Sequence, residues 1–119
     1  MAAMIELIQG GSVSSARGFI AGGTYAGIKS DTDGALDLGI LLSESECAVA
    51  GSFTKNKVVS PSVVLSKQRV TTGQARGVVA NSGCANCAVG AQGLKDAEEM
   101  TALAASHVGV EADQILVCS

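Results

Sequence analysis

Tryptophan is missing from this sequence, and Phe19, Tyr25 and Phe53 are its whole aromatic complement. A core without large rings must be assembled from Val, Leu and Ile and from many Ala and Gly, each of which buries little area. Such small side chains suit close packing, within the chain or against another one. Charge is also scarce: charged residues make up 16% of the chain, the net charge is −3, and Lys and Arg form no run. That removes the electrostatic footprint of a nucleic-acid binder, so no nucleic-acid partner is expected. No apolar run approaches the ~20 residues a membrane helix needs, and no membrane partner is expected. The N-terminal MAAMIELIQGGSVSSARG has no basic head before an apolar stretch, and few arginines for a mitochondrial presequence. A cytoplasmic location follows, where Cys47, Cys84, Cys87 and Cys118 stay reduced.

The hydrophobic share, 47%, excludes disorder, and 119 residues fit one domain. Residues 10 to 34 are rich in Gly and read as turns and short strands. Leu36–Leu42, LDLGILL, is nearly continuous in apolar residues and reads as a buried strand. SESE at 43 to 46 reads as a polar turn, and CAVAGSF up to Phe53 as the second strand of a hairpin. Pro61 closes the next extended piece, and Leu65–Thr72 predicts a short helical turn before Gly73.

The second half is more regular. Gly77–Ala80 predicts a short strand. From Leu94, apolar or small residues recur at Ala97, Thr101, Ala104 and Val108, the period of a one-sided helix. Asp96, Glu98 and Glu99 lie in its first turns, His107 in its last, and Gly109 stops it. Gln114–Cys118 predicts another strand. The result is a βαβ unit with parallel strands, so the fold class is α/β: a mixed sheet with hairpin strands first and a βαβ unit second. Both strands of that unit end on one edge of the sheet, where α/β proteins place ligands. NSGCANCAVG leaves the first strand there, and Ser119 stands at the same edge. A domain seldom ends on a core strand, so a continuation is expected.

Several motifs compete for that loop. Cys84-Ala85-Asn86-Cys87 is a CxxC between strand and helix, the setting of a redox motif in which a helix N-terminus lowers a thiol pKa. VGAQG separates Cys87 from the helix, which puts the dipole out of reach. As a zinc pair it needs two more ligands, and Cys47, Cys118 and His107 form no second close pair. Two small buried thiols are the plain alternative. GGTYAGIKS at 22 to 30 nearly reads as a phosphate loop, but Ile28 separates Gly27 from Lys29 and breaks the match. His107 reads as a helix-end residue, and Lys55, Lys57, Arg69 and Arg76 as surface charges. Asn81-Ser82-Gly83 offers amide and hydroxyl groups and a close backbone approach; a pocket edge and a structural turn both satisfy it.

Together, four segments resemble the ornithine acetyltransferase (glutamate N-acetyltransferase) family of arginine biosynthesis. GFIAGGTYAGIKSD is similar to its GFxAxGxxAGIK signature and LDLGILLSE to its DLALI segment. AVAGSFTKNKVVSPSVVLS is similar to AxGVFTxNxVxAAPVxxS, and RGVVANSGCANCAVGAQGLKDA to RAxVVNSGNANAxTGxxGxxDA. The likeness covers nearly the whole chain in order. It departs at Cys84, where the family pattern has Asn, and at Cys87, where it commonly has Ala. The CxxC then becomes a local substitution that calls for no metal.

The resemblance implies that residues 1–119 are the N-terminal portion of one acetyltransferase domain in a first (alpha) chain, part of a larger layered α/β domain. Family members cut themselves before a threonine, which becomes the N-terminal nucleophile of a second (beta) chain. It takes the acetyl group of N-acetylornithine and passes it to glutamate; some members also use acetyl-CoA. The oxyanion donors are a Thr-Gly pair that follows a segment like ILVCS. Both they and the nucleophile lie beyond Ser119, so no catalytic residue falls on this chain and it is expected to be inactive alone. Asn81, Ser82, Gly83, Asn86 and Lys29 are the candidate substrate-binding residues; no metal or cofactor is expected. The implied partners are the beta chain, a larger assembly of the two-chain unit, and the substrates. Two other readings stay open: a small thiol redox or metal-binding module using Cys84 and Cys87, and a non-enzymatic structural subunit of the same fold.

Overall fold

The computed structural model describes residues 4–30 and 34–119. The turn expected over 10–34 lies outside the described residues at 31–33; the rest of that region holds turns and one strand, β1 (Phe19–Thr24). β2 (Leu38–Ala48), α1 (Pro61–Arg69), β3 (Gln74–Asn81), α2 (Ala91–Val108) and β4 (Ile115–Cys118) follow. The sheet order is β1-β2-β3-β4. β2 is antiparallel to both β1 and β3, and β4 is parallel to β3. The mixed sheet and the βαβ unit are therefore as the sequence implies.

The antiparallel pair of the first half has other partners than expected. β2 runs straight through SESE, with Ser43 buried opposite Phe19, and its partner is the earlier Phe19–Thr24, not CAVAGSF. Only Cys47 and Ala48 of that stretch stay in the strand, paired with Ala75 and Gln74 after a register shift that begins at Leu42. An irregularity of this kind strands main-chain carbonyls. Arg76, on the neighbouring strand, answers it: Nε donates to Ser43 O at 3.1 Å and Nη2 to Glu44 O at 3.2 Å. Arg76 is thus a structural donor, and so is Arg69, whose Nη1 donates to Ile115 O at 2.6 Å. Neither is a mere surface charge. Burial lowers the Arg69 pKa from its ordinary value, against the raising influence of Asp113 and Glu98.

Pro61 opens a helix; it does not close an extended piece. It occupies the first turn of α1, where its missing N–H costs nothing, and the Ser60 hydroxyl caps that turn by accepting from Val63 N at 3.3 Å. The helical turn expected over Leu65–Thr72 therefore starts earlier. It continues as a single tight turn over Val70–Thr72, and Gly73 ends it in the left-handed region. α1 also covers the outer edge of β4. Ser66 Oγ donates to Val117 O at 2.9 Å and accepts from Val117 N at 3.0 Å, supplying the ladder partner that this edge strand lacks. Ser66→Ala orphans both main-chain groups at a buried position and is expected to cost about 1–3 kcal/mol. A denaturant titration that shows no shift in midpoint would contradict this.

α2 begins at Ala91, three residues before Leu94, and Gly109 stops it as expected. Its first turn carries no acidic residue, so Asp96, Glu98 and Glu99 do not serve the dipole there. Its buried stripe is Gly93, Ala97, Thr101 and Ala105, one position off the expected face at each end, and Leu94 is 36% exposed. Ala97 and Ala105 meet Leu65 of α1, Val79 of β3, and Ile115 and Val117 of β4 in the core. Methyl-sized side chains let the helix lie close to the sheet, which is how a chain without large rings closes its interior.

Candidate functional site

β1, β3 and β4 run in one direction, so their carboxyl ends share an edge with the start of β2. Three segments meet there: the loop after β1, the loop after β3, and Ser119. The organiser of the first loop is Asp37, only 2% exposed. Its Oδ1 accepts from Ala26 N at 2.6 Å, and its Oδ2 from Ile28 N and Lys29 N at 2.8 and 2.9 Å. Burial pushes this carboxyl up. The N–H groups of Lys29, Ala26 and Ile28, with the Lys29 charge, outweigh that and hold it below the ordinary 3.8. The main chain of the same residue reaches the second loop, Asp37 O accepting from Ser82 N at 2.8 Å.

Of the candidate residues, Lys29 and Gly83 are brought together. A Cβ built on Gly83 would lie 2.6 Å from Lys29 Cγ, and the φ of Gly83, +106°, is a backbone conformation that other residues rarely adopt. The lysine stem therefore lies across a position that only glycine fills. Asn81 and Asn86 tie the loop to its surroundings: Asn81 Nδ2 donates to Cys84 O at 3.0 Å, and Asn86 Nδ2 to Gly93 O at 2.6 Å. Ser82 and Gly83 are exposed on the loop. The hydrogen bonds that Cys84 receives, from Asn81 Nδ2 and Ser119 Oγ, run through its carbonyl. Cys84 and Cys87 are free and exposed, which corrects the picture of two buried thiols. Only residues 88 to 90 separate Cys87 from α2, fewer than VGAQG implies. No described group of three or more His, Cys, Asp or Glu residues is arranged to hold a metal ion.

A cavity of about 260 Å³ opens beside the loop, with Asn81, Cys84, Asn86, Asp96 and Ser119 in its wall together with Ser62 of α1. Two buried atoms here, Ser62 Oγ and Asn86 Oδ1, have no hydrogen-bond partner among the described residues. Buried polar atoms are normally paired, so this wall has unused polar capacity. A larger cleft of about 460 Å³ lies between β2 and α2, but Leu38, Ile40, Met100 and Leu103 make it almost wholly apolar. His107 lines that cleft and has its Nδ1 2.9 Å from Leu103 O, a helix-end contact remote from the polar edge.

Sequence reasoning missed Asp37, Ser62 and Gly93, and it placed Ser119 at this edge without a role. A carboxylate inside an apolar run was the one available signal, since such a group is buried only with partners. Gly93 permits the approach of α2 to α1. A Cβ there would run into Asn86 Oδ1, lie 2.6 Å from Val89 Cγ2 and 2.7 Å from Pro61 Cγ. Gly93→Ala gains up to ~1 kcal/mol of helix propensity. The clash outweighs it, and a net loss of about 1–3 kcal/mol is expected. A raised melting temperature in this variant would refute the clash.

A mixed α/β unit with polar loops gathered where its strands end has the layout in which such proteins bind small molecules. The ArgJ family model matches residues 20–119, and the chain belongs to that family. It is 38% identical over 119 residues to the arginine biosynthesis bifunctional protein ArgJ of Dehalococcoides mccartyi, covering 100% of this chain and 29% of that protein. The Symbiobacterium thermophilum ArgJ is 43% identical over 109 residues, covering 92% and 27%. This chain thus spans less than a third of the length of these curated relatives. The crystal structure of the Bacillus halodurans ArgJ superposes with a TM-score of 0.85 at 32% identity, covering 92% of this chain and 56% of that one. The ornithine acetyltransferase of Mycobacterium tuberculosis, solved in complex with ornithine, gives 0.80 at 40% identity, covering 90% and 57%. Among the described residues, no helix is long and apolar enough to cross a membrane.

Proposed function

We propose that this chain forms the N-terminal portion of the first chain of a cytoplasmic N-acetyltransferase that moves an acetyl group from N-acetylornithine to glutamate. The match of residues 20–119 to the ArgJ family carries the reading. The relative solved with ornithine supports the substrate class. In this reading a precursor cuts itself before a threonine, whose hydroxyl becomes the nucleophile of a second chain. That hydroxyl attacks the acetyl carbonyl while the threonine amine takes its proton. Collapse of the tetrahedral intermediate breaks the carbon–nitrogen bond, and ornithine leaves with the proton on its amine. Glutamate's amine then attacks the acyl ester, releasing N-acetylglutamate and restoring the hydroxyl. A Thr-Gly pair that follows Ser119 supplies the oxyanion donors in both halves.

Asn81, Ser82, Gly83, Asn86 and Lys29 form the pocket edge, and the two-chain unit pairs into a larger assembly. The test is the full gene product supplied with N-acetylornithine and glutamate, with acetyl-CoA as a second donor. Ornithine and N-acetylglutamate should appear together, and residues 1–119 alone should yield neither. Clean self-cleavage without acetyl transfer would overturn the enzymatic reading in favour of a structural subunit.

A further inference from the structure

We infer that Ser119 is a positioning residue, whose hydroxyl clamps the end of β4 to the loop after β3 and so fixes the main chain leaving the sheet. The inference rests on the reading just proposed, in which the Thr-Gly pair that supplies the oxyanion donors follows Ser119. The ladder pairs of β3 and β4 run from Gly77 and Ile115 to Ala80 and Cys118, and Ser119 follows directly. Ser119 Oγ accepts from Asn86 N at 2.8 Å and donates to Cys84 O at 3.3 Å. Cys84 O is itself steadied by Asn81 Nδ2, and Asn86 by its bond to Gly93 O in the first turn of α2. One hydroxyl therefore joins the exits of both parallel strands to the start of the intervening helix.

A clamp made of two hydrogen bonds to one hydroxyl acts on the geometry of the loop more than on the stability of the core. Oxyanion donors work only when they lie within hydrogen-bond distance of an oxygen whose charge develops in the transition state. A main chain free to swing by about 1 Å misses that position, while ground-state substrate binding is little affected. The effect belongs in kcat.

In the self-cleaved full gene product, Ser119→Ala should lower kcat about 10- to 100-fold with KM nearly unchanged, and with self-cleavage and melting temperature preserved. Ser119→Thr, which keeps the hydroxyl, should restore most of the rate. A kcat within about twofold of the parent, a change confined to KM, or no rescue by threonine would overturn the inference. Hydrogen exchange at the Asn86 amide gives a readout independent of turnover. Ser119→Ala should speed it by about tenfold or more while amides along α2 hold their protection. Unaltered exchange at Asn86 would remove the clamp, whatever the kinetics. If the parent protein transfers no acetyl group, the functional reading falls, and the exchange result still decides whether the clamp exists.

Discussion

Ile115→Ala is expected to lower the unfolding free energy by about 2–5 kcal/mol, a large share of the roughly 5–15 kcal/mol a domain possesses. Ile115 is 0% exposed and sits where β3, β4, α1 and α2 meet. The cost depends on how far the surroundings can collapse into the space left by the side chain, and here they have little freedom. Ala97 and Ala105 present only methyl groups. The strand itself is held by pairing of Ile115 with Gly77 on one side and by Arg69 on its carbonyl. The upper part of the range is therefore expected. Leu94→Ala provides the contrast, since that side chain is 36% exposed and should cost far less. Denaturant midpoints at unchanged slope measure both. A shift below about 1 kcal/mol for Ile115→Ala would mean that β4 is not the centre of the interior.

The second half of the chain was legible because its signals are local. Strand, helix period and the Gly109 stop each lie within a few residues of one another, and the βαβ unit follows from their order. β2 was not legible in the same way. SESE has the composition of a turn, and what keeps it extended is Arg76, some thirty positions away in the chain and adjacent only after folding. Composition likewise made Arg69 and Arg76 look like solvated charges, because nothing local shows a guanidinium its carbonyl. At the candidate site, the loop from Asn81 to Asn86 was found by its residue types. Its supports were not, since the stacking of Lys29 on Gly83 and the bonds from Ser119 join segments far apart in sequence. Asp37 is the instructive omission. Leu36–Leu42 reads as a nearly continuous apolar run and a buried strand, whereas Leu36 is 60% exposed, the strand begins at Leu38 and is only half-buried to Leu42, and the charge of Asp37 organises the neighbouring loop.

Asp37→Asn should therefore damage the candidate site more than any loop substitution. The carboxylate accepts three main-chain N–H groups with two oxygens. An amide has one acceptor and one donor at those positions. With its carbonyl toward Ile28 and Lys29, its NH₂ faces the N–H of Ala26; reversed, it faces two N–H groups. Donor opposes donor in either orientation, so the 26–29 loop must open and the lysine stem must leave Gly83. In the complete protein, acetyl transfer should fall roughly 10- to 100-fold.

The pH dependence separates this cause from general damage. The folded pKa of Asp37 lies below 3.8, so the stability it contributes is fully present above 3.8 and is lost as pH falls through the folded value. Asparagine does not titrate and never has that contribution. Melting curves of parent and variant should be furthest apart near pH 7 and should converge below 3.8. Curves that stay parallel through the whole acid limb would show that the charge on Asp37 does not hold this loop.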